Sequence, residues 1–245
     1  MKQSKLSKNY KVLMLDVDGT IVKYDYYALP TRKVKNAIQK AQEKIVVCLV
    51  TGRSYGYVTD ILEELKINSG YAIVNNGANV VDLSKKSIIY DQPINQEDAI
   101  KIIKILTEEK IPFYVKQKFD HKALQEGYFK KGQILNKAYM VFTDENYPAD
   151  KIDKIVDKIR LLPNVNVHKG RHKWPNKFGL NISHVNATKI NGVIVIEKEL
   201  NIKTEDMIGI GDGYNDFPLL MACGLKIAMG NAVDDLKAIA DYVAP

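Results

Sequence analysis

From Lys11 onward, short apolar runs alternate with stretches whose apolar residues recur at helical spacing. "KVLMLD" reads as a strand, "TRKVKNAIQKAQE" as a helix, "KIVVCLV" as a strand, "SYGYVTDILEELK" as a helix and "YAIVNN" as a strand. That order predicts a parallel sheet flanked by helices. The rhythm returns near the end of the chain, where Thr188 is placed to cap the helix "KINGVIVIEKEL". Strand "DMIGIGD", helix "YNDFPLLMA", strand "LKIAM", helix "VDDLKAIA" and a strand-like "YVA" follow.

The middle of the chain has a different pattern. Strands "SIIYDQ", "IPFYVKQ", "KAYMVFT", "NVNVHK" and "FGLNIS" are mixed with helices "QEDAIKIIKILTEEK" and "ADKIDKIVDKIR". Several strands per helix predict an α+β module with an antiparallel sheet. The expected organisation is an α/β, Rossmann-like parallel-sheet core formed by residues 1–81 and 185–245, with an inserted α+β domain over 82–184.

Composition narrows the function classes. The 245 residues suffice for a core plus an insertion, and 46% hydrophobic with 27% charged residues is ordinary for a globular protein. The longest apolar runs, such as "IVVCLV", are too short to span a bilayer, and the first ten residues carry charge without the apolar segment of a signal peptide. These readings point to the cytoplasm, with no membrane partner. Cys48 and Cys223 each lie in an apolar stretch and read as packed thiols. The formal charge of +7 comes from lysines spread along the chain, with one dense cluster, "HKGRHKWPNK". That distribution fits a solvated surface that modestly attracts an anionic small molecule, and no nucleic-acid partner is expected.

In open parallel sheets, ligands bind beyond the carboxyl ends of the strands, so the residues just after each strand are read together. They are Asp16 and Asp18, then "TGR" at 51–53, "NNGA" at 75–78 and "GDGYND" at 211–216. Asp16, Asp18, Asp212 and Asp216 converging on one point would repel one another without a cation, and hard oxygen ligands favour Mg²⁺. Thr51 and the Gly52 amide are placed to hold phosphate oxygens, and Lys189 to add a fixed positive charge. Two rival readings fail. A calcium loop starting at Asp16 would have Ile21 in place of its glycine and Tyr27 in place of its glutamate. A dinucleotide fingerprint from Gly209 would have Tyr214 in place of its last glycine.

"DVDGT", "TGR", Lys189 and "GDGYND" resemble, in order, the four motifs of the haloacid dehalogenase (HAD) superfamily. The insertion resembles the C2-type cap of subfamily IIB, Cof-type phosphatases. The resemblance runs from Lys11 to about Pro245, and "NISHVNATK" is similar to the family's passage from cap to motif lysine. It implies a Mg²⁺-dependent phosphatase that hydrolyses a small phosphorylated metabolite, a sugar phosphate or similar, through an aspartyl-phosphate. By matching position, Asp16 is the nucleophile and a metal ligand. Asp18 gives its backbone carbonyl to the metal and its side chain as acid, then base. Thr51, Gly52, Lys189 and Asn215 contact the phosphoryl group, Asp212 is the second metal carboxylate, and Asp216 orients the metal-bound water or the lysine. Family members commonly have Gly where Asn186 stands and an acidic residue where Asn181 stands, and the usual final helix after "YVA" is expected to be missing.

A cap would exclude water and choose the substrate. Candidate specificity segments are "KQKFDHK" at 116–122 and the basic cluster, where Arg171, His172 and Trp174 either read a sugar or second anion or belong to a solvated loop with one packed tryptophan. His121, His168, His172 and His184 lack zinc-ligand spacing. Tyr24, Tyr26 and Tyr27 either line the entrance or pack the loop. Two alternatives to the phosphatase are a phosphosugar mutase of the phosphomannomutase type and a non-catalytic module binding a phosphorylated ligand. "GDGYNDFPLL" looks more like the hydrolase branch, and the intact aspartates and lysine weigh against a non-catalytic module.

Overall fold

The computed structural model describes residues 5, 7–25, 27–116, 125–126, 137–144, 147–171 and 177–245, with backbone alone at 125, 126 and 171. The chain divides into two compact units, Met1–Asp91 with Thr188–Pro245, and Gln92–Ala187. The path runs β1 (Val12–Leu15), α1 (Arg32–Gln42), β2 (Val46–Val50), α2 (Thr59–Leu65), β3 (Tyr71–Val74), β4 (Asn79–Asp82) and β5 (Ser87–Asp91). The second unit contributes α3 (Gln96–Glu108), β6 (Phe113–Lys116), β7 (Gln125–Glu126), β8 (Met140–Thr143), α4 (Ala149–Ile159), β9 (Val165–Arg171) and β10 (Phe178–His184). The first unit resumes with α5 (Lys189–Leu200), β11 (Met207–Gly211), α6 (Phe217–Ala222), β12 (Leu225–Ala228), α7 (Asp234–Ile239) and β13 (Tyr242–Val243).

In the first unit the sheet order is β13-β12-β11-β1-β2-β3-β4-β5. It is parallel from β13 to β3 and antiparallel beyond. This is the α/β architecture expected from the alternating pattern. β1 is buried at all four positions, as a central strand covered on both faces must be. Val12 and Met14 join Val193 and Ile196 of α5 and Leu219 and Leu220 of α6 in one apolar cluster. Cys48 and Cys223 belong to the same cluster as free thiols, and burial pushes each up to about 12. Thr188 Oγ1 accepts from Asn191 N at 3.3 Å, capping α5 as its position before the helix predicts.

One element differs from expectation. The strand-rich pattern assigns "SIIYDQ" to the middle module, but it forms β5 and pairs with β4 on the edge of the first unit's sheet. The cause lies at Asn75, Asn76 and Gly77, whose φ values of 52°, 56° and 98° turn the chain back after β3. β4 then runs antiparallel to β3, and β5 follows by a second hairpin in which Asp82 Oδ1 accepts from Lys85 N. Asn-Gly is a strong hairpin signal in sequence.

The second unit is the antiparallel α+β module that its strand-rich pattern predicts, with order β7-β6-β8-β10-β9. Ile152, Ile155 and Ile159 of α4 recur on one helical face and are fully buried with Ile102 and Leu106 of α3 and Leu180 and Ile182 of β10. Each such side chain contributes about 1.5–3 kcal/mol relative to exposure. Asn186 is not among the positive-φ positions, and its N–H donates to His184 Nδ1. Among the described residues, no helix is long and apolar enough to cross a membrane.

Candidate active site

Asp16, Thr51, Asn75 and Asp212 each follow the last residue of a parallel strand, β1, β2, β3 and β11 respectively. β11, β1, β2 and β3 are consecutive neighbours, so these residues share the carboxyl edge of the sheet. The chain proceeds from β1 to β2 on one side and later places β11 on the other, which makes this the switch point where open α/β sheets bind ligands.

Asp16 N donates to Ile210 O, which continues the β1–β11 pairing one residue past the strand. The Val17 carbonyl then accepts from the Thr20, Ile21 and Val22 amides, winding the motif into a tight turn. Gly19 occupies φ +80° there, and a Cβ on it would lie 2.2 Å from Asp212 Oδ2. Only glycine permits both the conformation and the approach.

Lys189, the first residue of α5, is 2% exposed. Its Nζ donates to Asp16 Oδ1 at 2.6 Å and to Asp216 Oδ1. Asp216 Oδ2 accepts from the Asp212 and Gly213 amides at 3.0 and 2.9 Å. Asp16, Asp212 and Asp216 are all buried, and each offers an oxygen within 4.8 Å of the others. Burial pushes the Asp16 carboxyl up to about 7, against the pull of Lys189 and with the help of Asp216. Burial would lower Lys189, but the Asp16 and Asp216 carboxylates outweigh it and hold the ammonium above its ordinary value. Burial raises Asp212 as well, opposed by its hydrogen bond from Tyr24. Three buried carboxylates facing one ammonium leave a surplus of negative charge, and the donors are hard oxygens. This donor set fits a divalent cation of the Mg²⁺ type.

The other residues singled out by sequence fall as follows. Asp18 is not one of that cluster's carboxylates; its side chain pairs with Arg53. Nη2 of Arg53 donates to Asp18 Oδ1 at 2.6 Å, and Nε donates to Oδ1 and Oδ2 at 3.2 and 3.0 Å. Thr51 is fully buried, and its Oγ1 accepts from Arg53 N at 3.0 Å. A Cβ at Gly52 would lie 2.8 Å from Asn76 Oδ1, so the glycine accommodates the neighbouring "NNGA" loop. Asn215 lies on the Asp212–Asp216 loop with its side chain exposed. Tyr24 donates its hydroxyl to Asp212 Oδ2. Tyr26, residues 117–122 including His121, the Arg171 side chain, His172 and Trp174 lie outside the described residues.

Five contacts at the site are not announced by the sequence. Arg53, the last residue of "TGR", is buried and also donates to the Asp25 and Tyr57 carbonyls. Thr20, Tyr24 and Asn231 all donate to the Asp212 carboxylate. Applying the strand-end rule to β12 as well would have found Asn231, which follows that strand on the same edge.

A family model described as haloacid dehalogenase-like hydrolase matches residues 13–245. The chain belongs to this family. Among its relatives are a 5-amino-6-(5-phospho-D-ribitylamino)uracil phosphatase of Bacillus subtilis (strain 168), 24% identical, with 95% of this chain and 89% of the relative covered. A phosphoglycolate phosphatase of Saccharolobus solfataricus is 26% identical, with 95% and 88% covered. The solved haloacid dehalogenase-like hydrolase from Bacteroides thetaiotaomicron superposes with a TM-score of 0.79 at 21% identity, covering 96% of this chain and 93% of that one. The topology described above sets Asp16, Thr51, Asn75 and Asp212 at the ends of neighbouring strands of this fold.

Proposed function

We propose that this hydrolase is a Mg²⁺-dependent phosphatase that cleaves a small phosphorylated metabolite through an aspartyl-phosphate on Asp16. The observation that carries this reading is the Lys189 ammonium bridging Asp16 and Asp216 beside Asp212 at the sheet's switch point. The named activities of the two relatives, each a phosphatase of a different phosphorylated metabolite, support the reaction class without pointing to a common substrate.

Asp16 and Asp212 would hold the cation together with the Asp18 backbone carbonyl. When bound, Mg²⁺ supplies charge neutralisation and polarises the phosphoryl oxygens. Lys189 attracts the phosphoryl group and offsets its repulsion from Asp16. Thr51, whose oxygen already accepts from Arg53 N, keeps its hydroxyl proton to donate to a phosphate oxygen; the Gly52 amide and Asn215 complete the set. Asp16 attacks phosphorus as the bond to the leaving oxygen breaks, and Asp18 protonates that oxygen. Asp18 then takes a proton from water, which attacks the phospho-Asp16 and releases phosphate. General acid–base help of this kind is worth about 10²–10⁴-fold. Asp216, which accepts from two amides and Lys189, orients the lysine and the Asp212 loop. The inserted unit Gln92–Ala187 serves as the cap that selects the metabolite.

The test is phosphate release from a panel of sugar phosphates, phosphoglycolate, nucleotides and pyridoxal phosphate, with Mg²⁺ and after metal stripping. Turnover of at least one ester with Mg²⁺, and its loss in Asp16→Asn, is expected. Wild-type turnover by purified Asp16→Asn, or by metal-free protein, would overturn the mechanism.

A further inference from the structure

The Asp212 carboxylate is held by three side chains, which divide its two oxygens unequally. Oδ2 accepts from the Tyr24 hydroxyl and from Asn231 Nδ2 at 3.1 Å. Among the described residues, Oδ1 accepts from Thr20 Oγ1 alone, at 3.3 Å. A carboxylate has about four acceptor directions, two on each oxygen. Oδ2 is therefore filled by protein donors, whereas Oδ1 keeps a lone pair free.

Tyr24 reaches this position from the turn after the first motif. Tyr24 as a whole is 68% exposed, so burial in the core does not account for its placement; the part-buried hydroxyl contact does. The missing Cβ at Gly19 makes room for both partners, since a β-carbon there would lie 2.2 Å from Asp212 Oδ2 and 2.7 Å from the Tyr24 ring. Asn231 ties the same corner to the Gly19 carbonyl at 3.0 Å. The carboxylate is thus fixed in rotation by groups that leave one oxygen available.

We propose that Tyr24 is a positioning residue for the cation site: with Asn231 it occupies Asp212 Oδ2, fixes the carboxylate and leaves Oδ1 to coordinate the divalent cation. This rests on the assignment of Asp212 as a metal ligand. Side chains that orient a ligand without touching the metal typically change affinity by about 10–100-fold when removed. Tyr24→Phe keeps the ring and deletes only the hydroxyl.

The experiment is calorimetric titration of metal-free wild type, Tyr24→Phe, Asn231→Ala and Asp212→Asn with Mg²⁺ and, separately, Mn²⁺. Circular dichroism and thermal unfolding of each metal-free protein are recorded alongside to separate affinity from folding. The expected result is a dissociation constant raised about tenfold in Tyr24→Phe and in Asn231→Ala, with binding abolished in Asp212→Asn. Unchanged affinity in Tyr24→Phe overturns the proposal, as does tighter binding, which would mean that the hydroxyl competes with the ion. Absence of cation binding by wild type overturns the underlying assignment of the metal site, and the role of Tyr24 with it.

Discussion

Lys189 Nζ lies 2.6 Å from Asp16 Oδ1 and at the same time donates to Asp216, so one buried ammonium joins the loop after β1 to the loop after β11. Side-chain exposures of 2%, 6% and 1% for Lys189, Asp16 and Asp216 leave almost no water to compensate if the lysine is removed. Breaking a buried pair by deleting one partner typically costs about 3–5 kcal/mol. Metal-free Lys189→Met is expected to lose stability on that scale in urea unfolding and to show no phosphatase turnover. Wild-type stability in this variant would contradict the buried triad.

The Asp16 carboxyl sets a pH dependence with a definite sign. Its pKa is raised from 3.8 to about 7 in the folded protein, first by burial. Between those values the folded chain binds more protons than the unfolded chain, so this group's contribution to stability is complete below about 4 and is lost as the pH rises to about 7. In metal-free Asp16→Asn that component disappears. Unfolding free energies measured from pH 4.5 to 7.5 should therefore fall more steeply for wild type than for the variant. Parallel curves would refute the shift.

Arg53 engages both oxygens of Asp18, a forked geometry that lysine cannot reproduce. If Asp18 is the acid for the leaving oxygen, Arg53→Lys should depress turnover of alkyl phosphates, whose leaving groups need a proton, more than that of p-nitrophenyl phosphate. Comparing kcat for the two substrate classes tests this. An equal loss for both would assign Arg53 a structural role, tying Asp25 and Tyr57.

Gly77 has φ +98°, and a Cβ on it would fall 2.1 Å from the Thr188 carbonyl oxygen. The close approach braces the β3–β4 turn against the start of α5, whose first residue is Lys189. Backbone strain and overpacking together should make Gly77→Ala less stable by at least about 2 kcal/mol in chemical denaturation. A smaller loss would mean that the turn can shift away from the helix.

Much of the site was legible in the chain because each motif is local. Alternating apolar runs define the strands, a parallel sheet places their ends on one edge, and "DVDGT", "TGR" and "GDGYND" sit at those ends whatever the details of packing. Thr188 before an apolar-periodic stretch announces the helix that starts with Lys189. What the sequence alone left open depends on where side chains meet across the sheet. Asp16 and Asp18 look alike in "LDVDGT", yet one faces Lys189 and the other Arg53, because the turn after β1 sends them to different neighbours. The donors to Asp212 come from positions 20, 24 and 231, which no spacing rule connects. β5 joined the first sheet through two successive hairpins, a choice made by strand pairing and not by the apolar pattern of "SIIYDQ" itself. The local sequence determined which groups stand at the strand ends. Only the tertiary structure decided their partners, since burial and the approach of distant loops determine which charges are paired and which oxygen is left free.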